Sequence, residues 1–258
     1  PTTGASDVSA AARAATPSCV VRPAQTEGPY FVDERLERAD IRADPSDGSI
    51  TPGAPLTLTF AVARIDGSTC EAFPGVLVDV WHCNAAGVYS DAQDPGFDTR
   101  GQKFLRGYQI TDAGGTASFV TIYPGWYQGR TVHIHFKLRT DPALATGLEF
   151  TSQLYFDDAL TDVVHAQPPY AAKGERTLRN DGDGIYRDGG AQLLLAASSD
   201  GAGGYVATLE IGVEAAGSCA TVAACLAALR SALPTAAGAT DRREKRTALR
   251  LQNRIARV

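Results

Sequence analysis

Several features that would point to common functions are absent from this chain of 258 residues. No apolar run reaches the roughly 18 residues that a membrane-spanning helix needs. The chain has no Met and only four His, and its five Cys show no CxxC or other zinc-ligand spacing. The net charge is −5, which gives no reason to expect a nucleic-acid partner. We therefore expect no membrane span, no nucleic-acid binding and no cysteine-based zinc site.

The N-terminal segment differs in composition from the rest. Residues 1–18 are small and polar, like the flexible segment that follows a cleaved export signal, so we expect a flexible tail and a secreted or periplasmic protein. An oxidising compartment would allow two disulfides and one free thiol among Cys19, Cys70, Cys83, Cys219 and Cys225. The easiest local pair is Cys219 with Cys225, but the pairing stays open.

The C-terminal segment, residues 217–258, predicts a helical extension. Asp241 and Glu244 have the spacing of a capping box. Residues 241–258 hold seven Lys or Arg and two acids, a net charge of +5. One interpretation is a basic patch for an acidic polymer or surface. We favour an amphipathic helix docked on its own acidic body or on a twin subunit, because charge runs usually form a solvated face.

The middle of the chain, residues 19–216, predicts an all-β domain. About eight short runs of β-forming residues are separated by turns rich in Gly, Pro and Asp, without long helices between them. This pattern favours a β-sandwich with long loops. We expect one hairpin over residues 103–122, with "DAGG" at its turn, and a final hairpin over residues 191–213.

Two of the four histidines lie in the predicted strand "RTVHIHFKLR". His133 and His135 are two positions apart, so their side chains share one face of the strand about 7 Å apart along the backbone. Imidazole suits Fe, Zn, Cu and Ni, and a hydrogen-bonded pair of strand histidines is the alternative. His82 and His165 offer no third ligand by their spacing.

Nearby tyrosines are candidates for the remaining ligands of such a metal. Tyr123 and Tyr127 precede the histidine pair, and Tyr89 follows a strong predicted strand. Holding a phenol ionised at neutral pH requires about 4 kcal/mol, and a trivalent hard cation supplies this more readily than a divalent one. Each tyrosine taken alone is as well explained as a buried aromatic residue with a satisfied hydroxyl.

Four stretches, taken in order, resemble the intradiol ring-cleavage dioxygenases, the family of the catechol and protocatechuate dioxygenases: "TEGPYF", "VDVWHCNAAGVYS", "FLRGYQITDAGGTASFVTIYPGWYQGRTVHIHF" and "QLYF". The export-like N-terminal tail and the loop "PYAAKGERTLRNDGDGIY" are most similar to those of exported single-chain members. The resemblance implies Fe(III) held by Tyr89, Tyr127, His133 and His135. It favours Tyr127 over Tyr123, which we assign to packing. It also implies a substrate site with Arg130, Gln153 and, at its mouth, Tyr30.

By the same resemblance, the expected reaction cleaves a catechol ring between its two hydroxylated carbons, with O2, to a cis,cis-muconate. Tyr127 is the candidate for the ligand that leaves and accepts a proton, and Arg130 for the residue that stabilises negative charge on the substrate. Two departures affect substrate choice and assembly. The gap from Tyr127 to His133 is shorter than in the protocatechuate enzymes, and the N-terminal dimerisation helices of the catechol enzymes are absent, so a homodimer is an open expectation.

Two other functions compete with this interpretation. The chain could be a catalytically inactive β-sandwich module that binds cell wall or polysaccharide, although an intact set of four ligands argues against it. A zinc or copper enzyme is the other alternative, and it would assign no role to the tyrosines. Tyrosinate bound to Fe(III) would colour the protein deep red to brown, which separates these possibilities.

Overall fold

The computed structural model describes residues 20–66, 69–140 and 148–214. The predicted tail over residues 1–18 and the predicted helical extension over residues 217–258 lie outside the described residues, as do Cys19, Cys219 and Cys225. No helix in the described part of the chain is long and apolar enough to cross a membrane.

Short strands dominate the described part of the chain. The strands are β1 Pro55–Asp66, β2 Thr69–Ala72, β3 Leu77–Trp81, β4 Gln93–Asp94, β5 Phe97–Asp98, β6 Arg106–Ile110, β7 Thr116–Ile122, β8 His133–Arg139, β9 Glu149–Phe156, β10 Leu194–Leu195, β11 Ser198–Ser199 and β12 Tyr205–Glu214. The helices are α1 Asp158–His165 and α2 Gly184–Arg187, with three short 3₁₀ turns at Tyr170–Lys173, Asn180–Gly182 and Gly190–Leu193.

Two five-stranded sheets form the body of the fold. The first has the order β11-β12-β1-β2, with β7 also paired to β1, and the second has the order β10-β9-β8-β3-β6. Their apolar faces share one core, in which the ring of Phe60 on β1 lies 5.3 Å from that of Phe136 on β8. This confirms the predicted all-β, sandwich-like fold.

Strand β8 is buried on both of its faces. Ile134, Phe136 and Leu138 point into the shared core. The alternate residues point to the outer face, which the chain segment before β1 covers, since Lys137 pairs with Glu27. A strand with apolar residues on one face and buried polar residues on the other needs partners for the polar side chains. The candidate site occupies this second face.

One predicted hairpin is absent and the other is shorter than expected. The strands β6 and β7 belong to different sheets, so the Asp112–Gly115 turn crosses from one layer to the other instead of closing a hairpin. The final hairpin is present, but only Ser198–Ser199 pairs antiparallel with β12, whereas the preceding β10 pairs in parallel with β9. Turn residues identify a chain reversal but do not show whether the next strand stays in the same sheet. That choice is made by packing of the two layers.

Candidate metal centre

The two histidines of β8 meet at their Nε2 atoms. His133 Nε2 and His135 Nε2 are 3.1 Å apart, and both side chains are buried. His133 Nδ1–H donates to the carbonyl of Thr131 at 2.6 Å. A carbonyl oxygen can only accept, so this bond places the proton on Nδ1 and leaves the Nε2 lone pair available to a metal. His135 is stacked on Trp81, with ring centroids 5.1 Å apart.

Two tyrosine hydroxyls approach the same point. The hydroxyl of Tyr127 lies 3.2 Å from His133 Nε2, and that of Tyr89 lies 3.4 Å from the same atom. Tyr89 is buried and Tyr127 is half-buried. The structure therefore brings together all four side chains predicted as ligands: two phenol oxygens and two imidazole nitrogens.

Two glycines allow the loops that carry these tyrosines to pack closely. A Cβ on Gly87 would lie 2.1 Å from the Trp126 carbonyl oxygen, and φ at Gly87 is +78°. A Cβ on Gly125 would lie 2.3 Å from the Ala85 carbonyl oxygen. Any larger residue would force the loops apart, so the glycines in "GVY" and "PGWY" help to set the distance between Tyr89 and Tyr127.

The other two histidines support the site from behind. His165 ends helix α1, and its Nε2–H donates to the Pro124 carbonyl at 3.0 Å. His82 is fully buried between the Cys83 carbonyl and the Thr121 hydroxyl. Neither points its ring nitrogens into the group of four. Both therefore hold backbone segments that lead to the site.

Arg130 is fixed beside the four side chains by two partners. Its Nε donates to Asp183 Oδ2 at 2.8 Å and its Nη2 donates to Gln153 Oε1 at 2.6 Å. Its Nη1 lies 3.5 Å from His133 Nε2. Gln153 is fully buried and donates to the Thr26 carbonyl, so it does not point to solvent. The guanidinium therefore presents a positive charge at the edge of the site.

Asp183 was missed by the sequence analysis. Its side chain is 1% exposed and accepts from the backbone N–H of Thr131 as well as from Arg130. It also caps helix α2. Burial alone would raise the pKa of Asp183, but the bonds from Thr131 and Arg130 and the charge of Arg130 hold it below the ordinary value. The "DG" before α2 is a helix-start signal that could have identified Asp183 as a cap, though not its contact with Arg130.

Tyr30 and Tyr123 have different roles. The ring of Tyr30 stacks on that of Tyr89 with centroids 4.5 Å apart, and its hydroxyl donates to Asp94 Oδ2 at 2.6 Å. Tyr30 thus lies beside the site, where a pocket-lining residue was predicted. Tyr123 is fully buried in the core with its hydroxyl 2.7 Å from that of Thr161. It packs, as predicted.

Without a bound cation, all four candidate ligands are neutral near pH 7. Burial, with Arg130 nearby, lowers the pKa of His133 to about 3. Burial and the neighbouring His133 lower the pKa of His135 well below its ordinary value. Burial raises the pKa of Tyr127 to about 12 and that of Tyr89 well above its ordinary value. The protein environment alone therefore does not ionise either phenol.

The donor set fits a hard trivalent cation. Among the described residues, no group of three or more His, Cys, Asp or Glu could hold a metal, so the phenol oxygens are the donors that this site offers a metal beside the two imidazoles. The buried Nδ1 of His135 has no hydrogen-bond partner, so no bond to this atom fixes the His135 tautomer. A cation between the four donors would favour both phenolates by its own charge. Fe(III) is a cation that protein tyrosinates hold.

Comparisons with known proteins point to one family. A family model described as a dioxygenase matches residues 26–176. A chlorocatechol 1,2-dioxygenase of Pseudomonas sp. (strain P51) is 30% identical over 151 residues, 53% of this chain and 55% of that protein. The protocatechuate 3,4-dioxygenase beta chain of Burkholderia cepacia is 33% identical over 122 residues, 44% of this chain and 51% of that one. The chain spans about half the length of these curated relatives.

Solved structures extend the similarity to most of the chain. An intradiol ring-cleavage dioxygenase from Tetranychus urticae aligns with a TM-score of 0.64 and 27% identity, over 76% of this chain and 95% of that one. The dioxygenase domain of a dioxygenase–carbohydrate-binding protein fusion from Streptomyces sp. SirexAA-E aligns with a TM-score of 0.53 and 29% identity, over 76% and 100% of the two chains.

Proposed function

Because the chain belongs to the intradiol ring-cleavage dioxygenase family, we propose that it binds Fe(III) and cleaves a catechol between its two hydroxylated carbons to a cis,cis-muconate. The observation that carries the proposal is the convergence of three side chains on His133 Nε2. The hydroxyl of Tyr127 lies 3.2 Å from this atom, that of Tyr89 lies 3.4 Å from it, and His135 Nε2 lies 3.1 Å from it. The proposed ligands are Tyr89, Tyr127, His133 and His135.

Fe(III) held by these four side chains would supply Lewis-acid chemistry toward a bound catechol in its reaction with O2. The protein must supply a place for the catechol protons. Tyr127 is suited to accept one of them, because its side chain is half-buried and lines a cavity, and its phenol holds a proton strongly once it is no longer a ligand. We assign one catechol proton to Tyr127 Oη, and hydroxide from the solvent would take the other.

Tyr89 is suited to remain a ligand. It is 1% exposed, and the stacked ring of Tyr30 covers one of its faces. Because Tyr89 is already held on several sides, keeping it in one position costs little further entropy. The half-buried Tyr127 can move away without leaving a void in the packed interior. The two tyrosines therefore differ in freedom, and we propose that this difference decides which one leaves.

Arg130 would act on the charge that develops on the substrate. Its guanidinium is held on one side by Asp183 and on the other by Gln153, so it needs no rearrangement when charge appears. A preorganised donor in a partly buried site stabilises such charge much more than one in water. The remaining donor, Nη1, is the one near His133 and therefore the one nearest to the proposed substrate position.

The visible absorption spectrum of the ferric protein tests the proposal. Tyrosinate bound to Fe(III) should give a broad visible band, and catechol added without oxygen should shift it to longer wavelength. When O2 is then admitted, the protein should consume one O2 per catechol and produce a cis,cis-muconate. The single substitutions Tyr89→Phe and Tyr127→Phe should each change the band, whereas Tyr123→Phe, a matched control in the core, should leave it unchanged.

The alternatives give other results in the same experiment. A protein that stays colourless after ferric loading would contradict the proposal and favour the inactive binding module. Bound zinc without a visible band, or a blue copper protein, would favour the other enzyme alternative. A coloured protein that binds catechol but yields no ring-cleaved product would keep the metal site and remove the activity.

We also propose that the protein is exported. Cys70 is disulfide-bonded, and disulfides persist mainly in oxidising compartments. Cys83 is a buried free thiol behind the site, with Sγ–H donating to the Gly125 carbonyl at 3.5 Å. Thiol counting with and without reductant on the protein from its native source tests this proposal, and a fully reduced Cys70 would contradict it.

A further inference from the structure

A cavity of about 250 Å³ opens beside the two tyrosines of the candidate metal centre. If the proposed function holds, the ring of a bound catechol must extend into this space, because both tyrosines contribute to its wall. Its lining residues are Tyr30, Gly87, Tyr89, Asp94, Phe97, Tyr127 and Gln128.

Most of the wall is aromatic or lacks a side chain. Tyr30 and Phe97 lie with ring centroids 6.2 Å apart. Gly87 cannot carry a side chain, because its Cβ would lie 2.1 Å from the Trp126 carbonyl oxygen. Such a wall accepts a flat ring and its neutral substituents without requiring a particular hydrogen bond.

Asp94 is the only charged side chain among the described residues that line the cavity. It ends the two-residue strand β4 and is exposed to solvent, and its Oδ2 accepts the Tyr30 hydroxyl at 2.6 Å. One of its oxygens is therefore oriented by Tyr30, and its negative charge lies at the cavity.

The cations around the cavity have partners of their own. Lys173 Nζ donates to the Ala86 carbonyl and lies 4.8 Å from the centre of the Trp126 ring. Arg100 pairs with Asp98 on the same hairpin as Asp94, and Arg130 pairs with Asp183. None of the three lines the cavity, so the charge that a negative ring substituent inside the cavity would meet in its wall is that of Asp94.

We propose that Asp94 determines substrate choice, by disfavouring catechols that carry a carboxylate on the ring and admitting catechols with neutral substituents. This inference rests on the proposed function, because it needs the catechol bound beside Tyr89 and Tyr127. Like charges placed together are a common means of specificity, since they weaken the binding of the disfavoured ligand without changing the contacts of the favoured one.

The test compares two ligands of nearly equal shape and different charge, 3,4-dihydroxybenzoate and 3,4-dihydroxybenzamide. Each is titrated into the ferric protein without oxygen, and its Kd is read from the shift of the visible band. The amide should bind about tenfold more tightly than the carboxylate, a difference of about 1.4 kcal/mol. Raising the salt concentration to about 0.5 M should reduce this preference, because salt screens exposed charges.

Two variants assign the preference to one side chain. Asp94→Asn keeps an oxygen that can accept from Tyr30, removes the charge and should reduce the preference to less than about threefold. Asp98→Asn removes a charge from the same hairpin outside the cavity lining and should leave the tenfold preference intact.

The outcomes separate the two proposals. Equal affinities in the wild-type protein, or a preference that Asp94→Asn leaves unchanged, would overturn the role of Asp94 while the catechol-dependent band keeps the proposed function. A preference that persists in high salt would mean that something other than the exposed charge of Asp94 distinguishes the two ligands, and it would also overturn the role of Asp94. A ferric protein that binds neither ligand nor catechol would overturn both proposals.

Discussion

The two faces of strand β8 are buried to the same degree by opposite means. Toward the core, Ile134 and Phe136 contact apolar side chains of the other sheet. Toward the outside, His133 and His135 contact two tyrosines, Trp81 and the Arg130 network. The core face gains free energy from removing apolar surface from water. The site face instead buries the imidazoles of His133 and His135, and this burial lowers their pKa values and so favours their neutral forms.

The difference shows how one strand serves stability and chemistry together. Successive side chains of a strand point to opposite sides, so each position of β8 can be substituted with little effect on the opposite face. The rigid core then fixes the backbone from which the imidazoles project. Two substitutions in β8 test this separation, and a third, at Asp183 beside its site face, has the smallest expected effect.

Replacing a site-face residue should remove function and leave the fold. His133→Ala should lower activity by more than the roughly 10–100-fold that changes around a metal ligand commonly cost, because it deletes a proposed ligand itself. The visible band of the ferric protein should be lost or weakened, while the circular dichroism spectrum stays that of the wild type. An unchanged band and unchanged activity would exclude His133 as a ligand.

Replacing a core-face residue should have the reverse effect. Phe136→Ala deletes a fully buried ring and should lower the free energy of unfolding by about 3–5 kcal/mol. The folded fraction should keep its visible band, because Phe136 points away from the metal centre. The measurement is the free energy of unfolding in urea, compared between Phe136→Ala and His133→Ala. Loss of colour in protein that is still folded would show that the two faces are coupled.

Replacing Asp183, which orients Arg130, should have the smallest effect on stability, and this effect should depend on pH. Asp183→Asn removes a buried charge paired with Arg130 and should cost about 1–3 kcal/mol of stability near neutral pH. The folded-state pKa of Asp183 is lowered, so its contribution is present above the unfolded pKa of about 3.9 and is lost as the pH falls through the folded value.

Wild type and Asp183→Asn should therefore converge in stability below about pH 4. The kcat for catechol should also fall while the visible band is retained, because Arg130 loses its orienting partner and the ligands do not. The matched control is Asp181→Asn, an exposed acid of the same segment, which should change neither quantity. A stability difference that grows in acid would contradict the assigned pKa shift.

Much of the candidate site was predictable because its signals are local. The HxH spacing places His133 and His135 on one face of any strand, and the family resemblance selected Tyr89 and Tyr127. Asp183 and Asp94 were missed because their roles depend on residues far along the chain. Asp183 lies 53 residues from Arg130 and Asp94 lies 64 residues from Tyr30, and no local pattern contains either contact.

The sequence by itself determined the strand content, the two faces of β8 and the residue types at the candidate metal centre, because alternation, turns and side-chain chemistry are properties of short segments. The tertiary structure decided which sheet each strand joins, as β6 and β7 show, and which distant residues surround the ligands. The two sheets pack, and the polar face of β8 is covered, only when segments far apart in the sequence come together. Each of these contacts competes with others for the same buried surface, so no short segment determines it alone.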